Sequence, residues 1–284
     1  MSFFDHIRRC NQWQPADYRP FVVADRRVGR VRHAMAERLA AFPAIFSVTA
    51  EQVTLSDRLT DGASRTAAMR DVVARLQADG ALPRTRGEDY AVMAEWGETP
   101  VMLLDRGIVS AFGVRAFGVH VNGFVRTAGT LRLWIGRRAP NKTVEPNKLD
   151  NMVAGGQPAG LSLMENVIKE SAEEADLPRD LAAQAIPVGA ITYCMENGNG
   201  LKPDTLFVYD LELPADFVPR NTDGELSGFT LMDVDDVAEK VRSTREFKFN
   251  VALVIIDFLI RHGRLTPDSE PGYLDLVAGL HTAF

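Results

Sequence analysis

The chain has 284 residues, of which 46% are hydrophobic and 25% charged, the balance of an ordinary soluble globular protein with room for two domains. Its formal net charge of −6 excludes nucleic-acid binding as the main task, because that task requires a concentrated basic patch. The two cysteines, Cys10 and Cys194, form neither a disulfide framework nor a zinc pattern, which fits a reducing cytoplasm.

The N-terminal part of the sequence alternates short helical and strand-like segments. We predict helices and strands, in chain order, over Asp5–Trp13 (helix), Phe21–Arg32 (two strands around a polar turn), His33–Phe42 (helix), Ile45–Asp57 (strand) and Thr66–Asp79 (helix). These elements predict a small α+β domain over residues 1–112, and none of its residues forms a recognisable catalytic constellation.

The remaining residues, 113–284, have longer apolar strands. The predicted strands are Val114–Val125, Leu131–Arg137, Ile186–Met195, Thr205–Leu213 and Gly228–Met232, and helices follow at Val234–Arg242 and Phe247–His262. Strands on both sides of one central helix, with closing helices, indicate a mixed sheet sandwiched between helices. The most apolar stretch, Val251–Ile260, is too short to span a bilayer, so no membrane contact is expected.

The central helix carries the most informative motif of the chain, GGQPAGLSLMENVIKESAEEADL at Gly155–Leu177. Glu170, Glu173 and Glu174 follow one another at i, i+3 and i+4, so they project from one side of a helix. Carboxylate oxygens at this spacing suit a divalent cation that also holds substrate phosphates. The alternative is a solvated face on which Lys169 pairs with Glu173, and the helix alone leaves both interpretations open.

The preceding glycines favour the metal interpretation. Gly155, Gly156 and Gly160 suit a tight loop in which backbone approaches a ligand closely. The whole motif resembles the Nudix box, which is a glycine, five residues, Glu, seven residues, Arg-Glu, two residues and Glu-Glu. Gly155 and the three glutamates match this pattern, whereas Leu161 replaces its first Glu, Lys169 its Arg and Asp176 its late Gly.

The flanking sequence resembles one Nudix subgroup, in which Leu and Lys at the first two of these positions are usual. That subgroup has an extra N-terminal domain and includes the Nudix portion of fungal thiamine pyrophosphokinases and their plant relatives. The resemblance rests on RTAAMRDVVARL (Arg65–Leu76), HVNGFV (His120–Val125), LRLWIGRRAPNK (Leu131–Lys142), KLDNMVAGGQPAG (Lys148–Gly160), DGELSGFTLM (Asp223–Met232) and FKFNVALVIIDFLIRHGRLTPDSEPGY (Phe247–Tyr273). It implies an α+β protein: a Nudix α/β/α sandwich with a mixed sheet over 113–284, preceded by an accessory α+β domain over 1–112.

The resemblance also implies roles for particular acids. Glu173 and Glu174 are expected as principal metal ligands, Glu170 as a third ligand or water-orienting group, and the carbonyl of Gly155 as a further ligand. Glu225 matches a carboxylate that many Nudix proteins place over the metal. It is expected to act as ligand or general base, and the alternative is an exposed turn acid beside Gly224.

Basic residues near the motif are candidates for contacting substrate phosphates. Arg137, Arg138 and Lys148 follow an apolar strand, and the alternative for them is solvated surface charge. His120 is interpreted as a hydrogen-bonded sheet residue and Cys194 as a small buried hydrophobe. Trp134 and Phe207 are interpreted as core residues.

These observations predict a cytoplasmic hydrolase that uses Mg²⁺ or Mn²⁺ to cleave a small-molecule organic diphosphate. The subgroup resemblance points to thiamine diphosphate or its damaged analogues, giving the monophosphate and inorganic phosphate. The alternatives are a hydrolase of a nucleoside diphosphate linked to another moiety and a non-catalytic Nudix ligand-binding module. The sequence leaves the oligomeric state open, and the resemblance allows a homodimer. We expect residues before about position 113 to complete the substrate pocket wall.

Overall fold

A computed structural model describes residues 1–127 and 129–283. The first part of the chain forms a four-stranded sheet, a two-stranded hairpin and three α-helices. The sheet has the order β2-β1-β4-β3, in which only the β1–β4 pair is parallel. The elements are β1 (Tyr18–Val23), β2 (Arg26–Arg32), α2 (His33–Leu39), β3 (Phe46–Val48), β4 (Val53–Leu55), α3 (Gly62–Ala78), β5 (Asp89–Val92) and β6 (Met102–Asp105), preceded by α1 (Phe3–Cys10).

The second part is built on a mixed seven-stranded sheet. Its main path is β11-β12-β7-β8-β13, with β10 added to β7 and β9 added to β8. The pair β12–β7 is parallel and its neighbours are antiparallel. The strands are β7 (Ala116–Thr127), β8 (Thr130–Arg138), β9 (Leu149–Asp150), β10 (Val153–Gly156), β11 (Ile186–Asn197), β12 (Gly200–Glu212) and β13 (Leu226–Asp233).

Helices cover both faces of this sheet. They are α4 (Leu163–Ala175), α5 (Arg179–Ala182), α6 (Val234–Ser243), α7 (Val251–Arg261) and α8 (Tyr273–Gly279). Val119 and Val121 of β7 pack with Val167 of α4, whereas Phe124 of β7 belongs to the cluster formed with α7. This alternation follows from the two-residue period of a strand. The predicted α+β class and the helix–sheet–helix sandwich are therefore confirmed.

Helix α1 packs with the second part of the chain, although it comes first in sequence. Phe3, Ile7 and Cys10 are buried in the same cluster as α7. The His6 ring Nε2 lies 2.7 Å from the carbonyl of Val241, and the Cys10 thiol donates to the carbonyl of Phe249 over 3.3 Å. The predicted division between residues 112 and 113 stays a proposal, and any such division must account for this helix.

Several elements differ from the sequence predictions, including the short helices α5 and α8, which were not predicted. The segment predicted as one strand over Ile45–Asp57 forms two antiparallel strands, β3 and β4. The hairpin β5–β6 was not predicted, because each strand is only four residues long. Gly155 and Gly156, predicted in a turn, end strand β10 and pair with Val119 and Gly118. The turn begins after them.

None of the helices in residues 1–127 and 129–283 is long and apolar enough to cross a membrane.

Candidate functional site

Helix α4 is fixed at both ends by local interactions. At its start, Ser162 accepts a hydrogen bond from the backbone of Glu165, whose side chain in turn accepts one from the backbone of Ser162. This reciprocal capping satisfies N–H groups that the helix itself leaves free. At its end, Asp176 adopts a left-handed conformation with φ of 54°. The Nudix pattern has glycine there, and a short polar residue is the next best choice for this conformation.

The three glutamates of the motif differ strongly in burial. Glu174 is only 5% exposed, and its carboxylate accepts a hydrogen bond of 2.8 Å from the N–H of Ala154. Glu170 is mostly buried, whereas the Glu173 side chain is 47% exposed. Ala172 on the same helix is exposed, and the buried side of the helix includes Glu174 together with Ser171 and Ala175.

The backbone of Gly155 lies against the carboxyl group of Glu170. A Cβ atom at position 155 would come within 2.3 Å of Glu170 Cδ, so only glycine fits there. The neighbouring carbonyl of Gly156 accepts a hydrogen bond of 2.8 Å from the side chain of Asn166, which ties strand β10 to the helix. The structure thus brings together Gly155, Glu170 and Glu174, as the sequence predicts.

A lysine ammonium lies between two of the acids. Lys169 Nζ is 3.0 Å from a Glu170 oxygen and 2.8 Å from a Glu173 oxygen. Burial raises the pKa of Glu170, and the charges of Glu173 and Glu88 add to this rise while Lys169 opposes it. Burial also raises the pKa of Glu174 well above its usual range, and Asp150, Glu170 and Glu225 add to it. The region therefore holds more negative charge than Lys169 neutralises.

The described residues, 1–127 and 129–283, contain no group of three or more His, Cys, Asp or Glu side chains arranged to hold a metal ion. The acids are close in the fold, but their oxygens are held by Lys169 and by the backbone of Ala154 rather than converging on one point.

The remaining predicted site residues occupy different environments. Glu225 is half exposed and lies 2.5 Å from Lys142 Nζ. Arg137 donates to the carbonyl of Asn147, and Lys148 donates to the carbonyl of Arg245. Arg138 is buried in an ion pair of 2.7 Å with Asp150 and also donates to two loop carbonyls, so its guanidinium is already engaged within the fold.

The polar residues of β7 form a buried hydrogen-bonded chain. The His120 ring nitrogen Nδ1 lies 2.8 Å from Asn151 Oδ1, Asn151 donates to Asn122, and Asn122 donates to Asp210. Burial lowers the pKa of His120 to about 4, so the ring is neutral at pH 7. The interpretation of His120 as a hydrogen-bonded sheet residue is confirmed, as is that of Cys194 as a buried thiol.

Residues from the first part of the chain reach the same region, and the sequence analysis did not single them out. A Cβ at Gly156 would lie 1.6 Å from the hydroxyl of Tyr90, and the backbone of Asp89 accepts a hydrogen bond from Ala159. Arg106 forms an ion pair of 2.7 Å with Glu88 and lies over the Tyr90 ring. The only local signal was a short apolar alternation at Asp89–Val92.

A cavity of about 150 Å³ opens beside this contact. One wall is formed by Tyr90 and Trp96 from the first part of the chain, and the other by the β10–α4 loop from Gln157 to Leu161. Trp96 also packs on Phe117 and Phe207, with ring centroids 4.7 Å and 4.6 Å away. Phe207 is thus part of an aromatic surface rather than a fully buried core residue, whereas Trp134 is buried as predicted.

The fold and this region define a protein of the α+β class with an acidic helix packed against a glycine-containing strand end. Two curated relatives from Arabidopsis thaliana, Nudix hydrolase 20, chloroplastic, and Nudix hydrolase 24, chloroplastic, are each 41% identical to this chain. Each alignment covers 97% of this chain and 76% of the relative. The chain therefore belongs to the Nudix hydrolase family, and it is a hydrolase that cleaves diphosphate linkages.

Further comparisons matched a family model and solved structures. Residues 2–116 match a family described as a domain of unknown function, DUF4743. A crystal structure of DR0079 from Deinococcus radiodurans aligns with a TM-score of 0.46 and 22% identity, covering 59% of this chain and 97% of that one.

Proposed function

We propose that this chain hydrolyses thiamine diphosphate or its damaged analogues to the monophosphate and inorganic phosphate in a reaction that depends on Mg²⁺ or Mn²⁺. The observation that carries the proposal is that Glu170 and Glu174 lie against strand β10 at Gly155 and Ala154, with the ammonium of Lys169 between Glu170 and the more exposed Glu173. A diphosphate carries several negative charges, so such an acidic region accepts it only together with cations.

The residues present fit a hard divalent cation. Their donors are carboxylate and carbonyl oxygens, which Mg²⁺ and Mn²⁺ prefer, and Nudix hydrolases generally use a divalent metal. Glu173 and Glu174 would be the principal ligands, with Glu170 and the carbonyl of Gly155 beside them. Lys169 must give up its contacts with Glu170 and Glu173 for this to occur. When bound, the ion neutralises phosphoryl oxygens and lowers the pKa of a water molecule.

The protein groups around the acids have separate proposed tasks. Glu225, which is half exposed and paired with Lys142, is proposed to take up the proton of the attacking water after Lys142 moves away. The water oxygen then joins one phosphorus atom, the bridging P–O bond breaks, and the proton is passed to the leaving phosphate. Arg137 and Lys148 are proposed to contact the substrate phosphates, since Arg137 is exposed, Lys148 is half-buried, and each donates to a backbone carbonyl rather than to a carboxylate.

Arg106 is a further cation for the phosphates, contributed by the first part of the chain. Arg138 was also expected to contact the substrate phosphates. Its guanidinium is already paired with Asp150, so we retain it in the proposed site only for its position beside that acid. We keep the proposed division into an accessory domain over 1–112 and a Nudix domain over 113–284. A cytoplasmic location, a homodimer and the absence of nucleic-acid and membrane partners also remain proposals, and the two plant relatives are named as chloroplastic.

The test is phosphate release from a panel of thiamine and nucleotide diphosphates, with and without Mg²⁺. We expect release from thiamine diphosphate that requires the metal. Cleavage of ADP-sugars or dinucleotides releases no free phosphate, so it is followed by chromatography of the nucleotide products, and faster cleavage of these compounds would replace the substrate with a linked nucleoside diphosphate. Metal-independent binding without turnover of any diphosphate would show a ligand-binding module instead.

A further inference from the structure

The cavity between Tyr90, Trp96 and the β10–α4 loop adjoins the proposed catalytic region. Its lining includes Gln157, two residues after the proposed ligand Gly155, and Tyr90, whose hydroxyl lies against Gly156. Its volume of about 150 Å³ is comparable to that of an engineered apolar cavity that takes up one benzene molecule. The space therefore matches a single six-membered ring more closely than a fused bicyclic one.

The walls of this cavity are mostly aromatic and apolar, and its polar members include Gln157 and Arg115, which forms an ion pair of 2.9 Å with Glu95. Trp96 is 44% exposed, which is unusual for so large an apolar side chain, and it rests on Phe117 and Phe207. Leu161, where the general Nudix box has a glutamate, lines the same cavity. A planar ring that enters here meets aromatic surfaces on which it can stack.

The lining contains a buried side-chain oxygen, Oε1 of Gln157, that lacks a hydrogen-bond partner among the described residues. Gln157 is 7% exposed, and its side-chain N–H groups donate to the carbonyls of Leu161 and Pro158. These two bonds fix the orientation of the amide, because the opposite orientation would place oxygen against oxygen. The Oε1 atom is buried and has no hydrogen-bond partner within residues 1–127 and 129–283. A buried acceptor without a donor is costly unless a ligand or water satisfies it.

We propose that this cavity is the binding site for the organic half of the substrate, and that it selects a single aromatic ring carrying an N–H donor. The ring stacks in the space bounded by Trp96 and Tyr90, and its N–H donates to Gln157 Oε1. The proposal rests on the proposed diphosphate hydrolysis for the identity of the rest of the substrate. It assigns the first part of the chain a direct role in substrate choice, through Tyr90 and Trp96.

The test measures binding rather than turnover, so that it is independent of whether hydrolysis occurs. Dissociation constants of the full chain are measured by calorimetry in Ca²⁺ for thiamine diphosphate (single rings with an amino donor), ADP (fused rings) and inorganic pyrophosphate (no ring). The variants are Trp96→Ala, Trp96→Phe and Gln157→Leu. Trp13→Ala is the matched control, because Trp13 packs on Tyr18 and does not line this cavity.

We expect Trp96→Ala to weaken thiamine diphosphate binding by roughly 5- to 150-fold, the contribution of one stacked ring. Trp96→Phe should restore part of the loss, and Gln157→Leu should weaken the same ligand by about 5-fold or more. Pyrophosphate binding should stay unchanged in all of them. The proposal is overturned if the variants weaken pyrophosphate binding as much as thiamine diphosphate binding, or if they leave thiamine diphosphate binding unchanged. It is also overturned if the wild-type chain binds ADP or pyrophosphate as tightly as thiamine diphosphate.

Discussion

Replacing Glu174 with glutamine should make the metal-free protein more stable and the enzyme less active. Glutamine has nearly the same shape, and its carbonyl can still accept the hydrogen bond from Ala154. The variant removes only the charge from a carboxylate that is 5% exposed and lies near Asp150 and Glu170. Burying an incompletely paired charged group costs about 1–3 kcal/mol or more, so we expect a gain of that order at pH 7.

The gain should depend on pH and on metal. Because burial raises the pKa of Glu174 above 4.5, the folded state binds this proton more tightly than the unfolded state. The wild-type residue is therefore tolerated at acidic pH, and its cost appears as the pH rises. Magnesium at 100 times its dissociation constant should stabilise the wild type by about 2.7 kcal/mol and the variant much less. Adding the metal should thus shift the stability difference toward the wild type by up to about 2.7 kcal/mol.

Thermal unfolding of wild type and Glu174→Gln, with and without Mg²⁺, checks this directly. A gain of 1 kcal/mol corresponds to about 2–4 °C for a chain of this size. Glu239→Gln is the control, since Glu239 is exposed and far along the chain on α6. Activity should fall by about 10²–10⁴ in kcat. A variant no more stable than wild type without metal, and equally stabilised by Mg²⁺, would refute the argument.

Three other predictions follow from the same structure. EDTA should abolish phosphate release and excess Mg²⁺ or Mn²⁺ should restore it, whereas Ca²⁺ should restore it poorly because it favours looser coordination; full activity in EDTA would contradict this. Gly156→Ala should lower the melting temperature, because its Cβ would lie 1.6 Å from the Tyr90 hydroxyl, and adding Tyr90→Phe should recover part of the loss. Burial lowers the pKa of His120 from 6.5 to about 4, so the unfolded state binds a proton before the folded state does as the pH falls. The free energy of unfolding, measured with urea, should therefore drop by on the order of 2 kcal/mol between pH 6.5 and pH 5. His120→Gln should show a shallower dependence of this free energy on pH.

The parts of the fold that depend on local pattern could be predicted from the sequence. Strands β7 and β8 alternate apolar residues, and helix α4 carries both its acidic spacing and its capping residues within fifteen positions. The approach of Gly155 to Glu170 also follows from one contiguous motif. These features are encoded by neighbours in the chain, so no knowledge of the tertiary structure is required.

The parts that the sequence did not predict depend on distant contacts. The burial of Glu174 is decided by which side of α4 meets the sheet, and a cluster of three acids does not indicate that one of them faces inward. Tyr90 and Trp96 have no motif of their own, and they reach the site only because the first part of the chain packs beside the β10–α4 loop. Gly156 was predicted to lie in a turn. It ends strand β10 instead, and its lack of a side chain makes room for the Tyr90 hydroxyl.

The position of α1 affects when the protein can finish folding during its synthesis. Its contacts with Val241 and Phe249 span 235 and 239 residues of sequence, and it also packs on α8. Helix α1 therefore leaves the ribosome before the residues that it packs against have been synthesised. Until then the apolar side chains of Phe3 and Ile7 are exposed to solvent or bound by a chaperone. Closing so long a loop is slow relative to local folding. The sandwich that carries the acidic helix is completed by a segment that precedes all its strands in the chain, so its final assembly follows the synthesis of α7 and α8.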